Sequence, residues 1–379
     1  MKRAIVVGSG AGGAAVAKEL QGVFDVTILE SGKEFRPFSM NLSLVEKIKK
    51  TGLLIDEREI QLLFPAMKIR KTEDNMVMVN GIGLGGTTTL STGNGIRIDR
   101  DLKEIGINLD VEFNELVKEI PISTDHQKRW GRTTRRLFET CREMNLNPEP
   151  LPKMGDNKKC IKCGRCVLGC AYGAKWDSRV FLRSAVEKGA ILKTECHVKK
   201  VVIDGGKAVG VAVGKGLRTQ FYAADLVVLA AGGFGTPVIL EDSGVHCENR
   251  LFVDPVLCVA ARWEKAFQNK ELSMPFVVQR PGFILSPYFD YLSYFFNKDW
   301  NFPAQDTLGI MIKLADTNNG TVSKNKINKT LDEKDKEGLK EGVDICREIF
   351  VRLGVKKEQM ILGTINAGHP GGMLPLTAE

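Results

Sequence analysis

Ala4-Ile5-Val6-Val7-Gly8-Ser9-Gly10-Ala11-Gly12-Gly13, followed by a helical stretch Ala14–Leu20 and by Asp25-Val26-Thr27-Ile28-Leu29-Glu30, decides the fold class. The apolar run Ala4–Val7 predicts a buried strand, and Asp25–Leu29 predicts a second that ends in an acid. Between them stands G-x-G-x-x-G, with Glu30 17 residues beyond Gly13. Each part has a job in holding a dinucleotide. Gly8 permits a tight turn, Gly10 lets backbone approach a pyrophosphate, and Gly13 lets the helix pack closely on the strand. The helix N-terminus offers free N–H groups and a partial positive charge to phosphates. Glu30 can accept hydrogen bonds from ribose hydroxyls. The unit predicts an α/β protein with a Rossmann-type domain. It does not separate FAD from NAD, since both carry the same adenosine diphosphate.

At 379 residues the chain exceeds what one hydrophobic core usually fills, about 100–200 residues, so two domains are expected. Hydrophobic residues at 43% and charged residues at 26% exclude a disordered, collagen-like or coiled-coil chain. The net charge of +8 is spread along the chain, with local clusters at Lys47–Lys50 and Arg132–Arg136. It reads as a solvated basic face or a dock for an acidic partner, and no nucleic-acid motif accompanies it. No uncharged apolar run reaches the roughly 18 residues of a membrane span. The best, Leu226–Leu240, is shorter and holds three glycines. Met1-Lys2-Arg3 ahead of Ala4–Ala17 superficially resembles a secretory leader, but four glycines spoil its apolar core. Nine cysteines, four of them inside eleven residues, do not suit an oxidised framework. A cytoplasmic chain is expected.

Two further stretches are rich in glycine. Asn80–Gly95 contains six, a density normally kept where backbone approaches something flat or adopts positive φ, although a mobile hairpin tip is the plainer alternative. Leu226–Ala231 predicts a strand that runs into Gly232-Gly233-Phe234-Gly235-Thr236-Pro237 and a helix from Val238 to Ser243. Just before it, His197–Ile203 and Ala208–Val213 alternate around Asp204-Gly205-Gly206, a hairpin signal.

On these residues the chain resembles the glucose–methanol–choline (GMC) family of flavin oxidoreductases. The unit Gly8–Glu30 matches that family's FAD-binding start. Gly81–Leu90 resembles its first signature, which implies that Gly85, Gly86, Thr87 and Thr88 lie against the flavin. Ile82 and Ser91 depart from it, standing where a polar residue and Asn or His are usual. Gly232–Val245 resembles the second signature, implying cofactor contacts from Gly232 and Thr236; Gly233 and His246 depart from it. Lys313–Asp316, Gly320–Ser323 and the helical Glu333–Leu353 resemble the family's substrate-domain sheet and following helix.

Cys160-x-x-Cys163-x-x-Cys166-x-x-x-Cys170 has the spacing of a ferredoxin-type [4Fe–4S] run. Gly164 and Gly169 would let the backbone curl round a cluster. Structural zinc usually takes two knuckles separated by a dozen or more residues, so zinc and bare redox thiols are the lesser alternatives. The fourth ligand is either Cys170 or a remote thiol among Cys141, Cys196, Cys247 and Cys258. The chain resembles the subset of the family that carries such a run.

Of the four histidines, His126 and His197 read as packed or solvated and His246 as a helix cap. Gly363–Met373, with His369, resembles the family segment that carries the active-site histidine. The resemblance implies that His369 accepts a substrate hydroxyl proton while hydride leaves for the flavin, general-base work suited to a pKa near the working pH. Relatives continue beyond this histidine with a closing strand and helix, so a truncated chain or a site completed by a second chain is expected. Phe283–Phe302 holds nine aromatic residues. They would form an apolar wall over the flavin, a docking surface or the second domain's own core.

The sequence thus leads to a discontinuous Rossmann-type FAD domain (1–120, 190–250 and 356–379), a cysteine-rich insertion (121–189) and an α+β substrate domain with an antiparallel sheet (251–355). The expected activity is FAD-dependent dehydrogenation of a CH–OH group in a small-molecule substrate. The [4Fe–4S] cluster would pass electrons to a one-electron carrier such as a ferredoxin, or the flow would run in reverse. A flavin and iron–sulfur electron-transfer subunit completed by a partner chain is the alternative.

Overall fold

The computed structural model describes the chain except residues 53–55, 215–217, 325 and 377–379. Its first sheet is parallel, in the order Leu226–Leu229, Lys2–Val7, Phe24–Leu29 and Ile191–Lys193. The strand Lys2–Val7 sits in the middle because Ala4–Val7 is apolar on both faces and buries every side chain. Helix Ala11–Glu19 crosses between the first two strands of the chain. Its small residues Ala14 and Ala17 pack on Phe181, Leu182 and Ala185 of helix Arg179–Glu187. The Ala4–Ala17 stretch, with its leader-like look, is the strand, turn and helix of this unit.

A three-stranded antiparallel sheet, Val198–Asp204, Lys207–Val213 and Gln220–Ala223, turns at Gly205-Gly206 as the alternation predicts. It covers the other side of the parallel sheet through Val198, Val201, Val211 and Val213. Helix Gly232–Asp242 starts six residues earlier than its sequence suggests and carries Pro237 inside it. Of the glycines that read as a loop, Gly232 enters the helix at φ +76°, and Gly233 and Gly235 are helical backbone.

The second sheet has nine strands and is mixed. Its path runs Met67–Lys71, Val77–Gly81, Asn366–Ala367, Val256–Arg262, Thr307–Leu314, Phe283–Pro287, Phe276–Arg280 and Glu149–Pro150, with Met360–Leu362 pairing beside Val256–Arg262. All these pairings are antiparallel except Asn366–Ala367 on Val77–Gly81. Val256–Arg262 and Thr307–Leu314 are buried on both faces, which is why they read as near-continuous apolar runs. Helix Glu333–Arg352 covers one face through Leu339, Val343, Ile349 and Phe350. It begins at a capping box in which Asp332 and Asp335 each accept the other's backbone N–H.

The opposite face carries the aromatic segment. Phe289, Tyr291, Tyr294, Phe295, Phe296 and Trp300 are all buried there, in one cluster with Phe35, Phe38 and Phe64. The segment is therefore core, and neither a wall over the cofactor cavity nor an exposed dock. Among the described residues no helix is long and apolar enough to cross a membrane.

Candidate active site

One large cavity, of about 1000 Å³, opens between the two main sheets and runs from the first glycine turn to His369. That volume is at the upper end of the range for small-molecule and cofactor sites. Its floor is the turn after Lys2–Val7. Gly8 has φ +99°, and a Cβ on Gly13 would stand 2.0 Å from the Gly8 carbonyl oxygen, so helix and strand touch only because Gly13 has no side chain. Gly10 faces open space. Chemistry and shape fit a dinucleotide such as FAD: bare backbone and the N–H groups of a helix start, with room above them.

Glu30 is 5% exposed and lines the same cavity, but its carboxylate is already engaged. One oxygen accepts the backbone N–H (3.0 Å) and hydroxyl (2.6 Å) of Ser9, and the other accepts Gly32 N–H (2.8 Å) and the Ser31 hydroxyl (3.3 Å). These four donors match the acceptor capacity of a carboxylate. In this structure Glu30 pins the glycine turn while facing the cavity.

The second glycine loop reaches the cavity as a short helical turn, Gly86–Leu90. A Cβ on Gly86 would lie 3.0 Å from Gly10 Cα, so the two glycine loops meet back to back. Thr87 accepts Gly81 N–H, and the Thr88 hydroxyl donates to Gly85 O at 2.6 Å. Ser178, fully buried, joins everything: its hydroxyl reaches Ser9 O, Gly85 O and the Thr88 hydroxyl. Sequence reasoning missed Ser178, which carries no motif. Gly8, Gly10, Glu30, Gly86, Thr87, Thr88, Gly232 and His369 line the cavity, whereas Gly13, Gly85 and Thr236 do not. Gly13 serves packing and Gly85 is buried beneath the loop.

His369 follows the strand Asn366–Ala367, and the Pro370 carbonyl lies where Gly233 has no side chain. Its Nδ1 is 3.6 Å from Asp254, which is also paired with Lys313. The side chain is 60% accessible, and the surface it shows is cavity wall. Desolvation by the surrounding protein, with Lys313 nearby, lowers its pKa to about 4. The imidazole is thus a neutral base at ordinary pH, further below its usual value than the sequence reading expected. His197 also lines the cavity, His126 is buried between Trp130 and the Leu151 carbonyl, and His246 is exposed beyond a helix end.

Cys160, Cys163, Cys166 and Cys170 lie in a loop outside this cavity, all partly buried and all free thiols. The structure does not draw them together as ligands: among the described residues no group of three or more Cys, His, Asp or Glu is arranged to hold a metal ion. The ground for a cluster at this loop is the spacing of the four thiols alone. Two lysines face this loop. Lys153, 4% exposed, donates to Ser273 O, Thr92 O and Asn94. Lys175 donates to Thr88 O, Thr89 O, Ser91 O and Cys166 O, tying the second glycine loop to the cysteine loop. Burial lowers their pKa values to about 7 and about 8. It raises that of Cys166, an effect the two ammonium groups oppose.

A parallel nucleotide sheet joined to a larger mixed sheet, with one deep cavity between them, defines a dinucleotide-dependent oxidoreductase. The chain belongs to the GMC oxidoreductase family, whose family model, described as GMC oxidoreductase, matches residues 3–257. It is an enzyme of the oxidoreductase class, and FAD is the cofactor that this membership supports. An uncharacterized protein of Methanocaldococcus jannaschii is 28% identical over 99% of this chain and 88% of its own length. A long-chain-alcohol oxidase of Arabidopsis thaliana is 24% identical over 93% of this chain and 54% of its own. The chain thus spans about half of that relative. Among solved structures, formate oxidase of Aspergillus oryzae aligns with 99% of this chain and 89% of its own at a TM-score of 0.67 and 15% identity. Pyridoxine 4-oxidase of Mesorbium loti aligns with 95% and 83% at 0.66 and 13%. These two show the likeness of fold.

Proposed function

We propose that the protein is a FAD-dependent dehydrogenase of CH–OH groups, with His369 as the base. The observation that carries this reading is that the dinucleotide turn and His369 open onto one cavity. Relatives named as alcohol oxidases and choline dehydrogenase support an alcohol donor. FAD, when bound, supplies the hydride acceptor. The chain's own part is to hold and to deprotonate. Gly8, Gly10 and the N-terminus of helix Ala11–Glu19 take the diphosphate. Gly86, Thr87, Thr88 and Gly232 border the rest of the cavity. His369 turns Nδ1 towards Asp254, and no hydrogen-bond partner is found for Nε2 among the described residues. That nitrogen is the one that accepts the hydroxyl proton.

The cysteine run is a separable part of the proposal. Its spacing suits a [4Fe–4S] cluster, and the positive charges of Lys153 and Lys175 would offset an anionic thiolate group. In the same proposal residues 1–120, 190–250 and 356–379 form the FAD domain, 121–189 the cysteine-rich insertion and 251–355 the substrate domain. Anaerobic purification with flavin, iron and sulfide analysis, then a screen of alcohols for flavin bleaching, tests both parts. His369→Ala is expected to keep FAD and lose bleaching; unchanged bleaching removes His369 from the mechanism. Reduction by a carrier protein with no response to any alcohol would instead favour an electron-transfer subunit.

A further inference from the structure

Strand Met67–Lys71 sends Met67 and Ile69 into the aromatic core and Lys68 and Arg70 to the other face, where both line the cavity. Lys68 pairs in register with Asn80 on the next strand. Beyond it, Asn366 and Ala367 pair with Val77 and Met78. Carried on two residues, that register sets His369 beside Asn80, and a Cβ on Gly368 would indeed lie 3.2 Å from Val79 O. Lys68, Asn80 and His369 therefore form one row across three neighbouring strands, and all three face the cavity. At about 4.8 Å per strand, the Lys68 and His369 backbones are roughly 10 Å apart.

Both cations are half-buried. Arg70 donates to the Asn80 amide oxygen at 2.5 Å and lies over the Phe234 ring at 5.4 Å. Among the described residues neither cation meets a carboxylate, and the charge nearest Lys68 is Arg70 itself. The acids of the cavity are spent elsewhere: Glu30 on Ser9, Ser31 and Gly32, and Asp242 on Lys324. Two adjacent, partly desolvated charges of one sign are costly unless a ligand neutralises them. The cofactor's diphosphate is accounted for by the glycine turn on the other sheet. The unmatched pair instead shares its row with the base.

We infer that Lys68 and Arg70 form an anion subsite, so that the substrate is a compact alcohol carrying a carboxylate or phosphate group close to the hydroxyl that faces His369. This deepens the dehydrogenase reading and rests on it. Asn80, in the same row as Lys68 and His369, holds the Arg70 guanidinium in place.

The test uses the purified FAD-loaded protein, kept anaerobic. Its flavin spectrum is titrated with lactate against lactamide, and with glycerol 3-phosphate against glycerol, and bleaching is followed with the same four compounds. At least one acid is expected to bind about tenfold to hundredfold more tightly than its neutral partner, the range for a hydrogen bond to a charged group. Which acid wins distinguishes carboxylate from phosphate. Lys68→Met and Arg70→Met should each erase most of that preference with the FAD content per chain unchanged. Equal binding of acid and neutral partners by the unaltered protein overturns the subsite. So does loss of FAD from either variant, which would give the cations to the cofactor. Acid-selective binding with no bleaching by any compound removes the dehydrogenase reading and leaves the anion site standing.

Discussion

His369 carries the pH dependence expected of the proposed reaction. Its pKa is lowered to about 4, so the neutral base is present above that value and lost below it. The rate of flavin reduction by a donor is therefore expected to stay level from neutral pH down through 6.5, the ordinary histidine value, and to fall only on the far acid side. Stopped-flow absorbance across that range checks it; an acid limb at 6.5 would show an unshifted ring. Stability runs the same way. The unfolded chain takes up this proton below about 6.5 while the folded one does not, so folding weakens as pH drops from there towards 4. At this scale the glycine turn and His369 were legible because each sits in a local pattern. Lys68, Arg70 and Ser178 were not. Their importance depends on strand register and on loops that meet from distant parts of the chain, and no short spacing encodes either.

Between elements, the connection after Thr307–Leu314 is held by a buried ion pair, Lys329 with Asp316 at 2.8 Å, both side chains shut off from water. Asp316 also accepts the backbone N–H groups of Val253 and Asp254, the second of which carries the carboxylate beside His369. Lys329→Met leaves Asp316 charged, buried and short of its cation. A loss of about 3–5 kcal/mol is expected, measured as a lowered midpoint in urea denaturation with an unchanged slope. Element types were largely readable. Strands Lys2–Val7, Phe24–Leu29 and Leu226–Leu229 stand where the apolar runs put them, and helix Glu333–Arg352 stands where the resemblance placed a helix over Glu333–Leu353. Helix Gly232–Asp242 was misread at its start because three glycines and a proline argue for a loop on local grounds. There the missing side chains are required by the Pro370 backbone lying against Gly233. The aromatic segment could not be assigned from its content, since a core and a cavity wall ask for the same residues.

For the whole molecule, the cavity is walled by both main sheets and by segments from Val7 to Pro370. A cofactor seated there links the two layers. Removing FAD is expected to lower the thermal midpoint, and adding it back to restore it, by the linkage that gives about 4 kcal/mol at a thousandfold excess over Kd. Calorimetry with and without added FAD reads this directly; coincident melting curves would mean that the dinucleotide turn binds nothing. The wall's sequence span has a further consequence for how the protein is born. Translation proceeds at roughly 5–20 residues per second, amino end first. The parallel-sheet strand Lys2–Val7 leaves the ribosome early, whereas Asn366–Ala367 and His369 are made far later and slot in beside Val77–Gly81. A nascent chain therefore waits tens of seconds between its first glycine turn and the segment that brings His369 into the cavity wall.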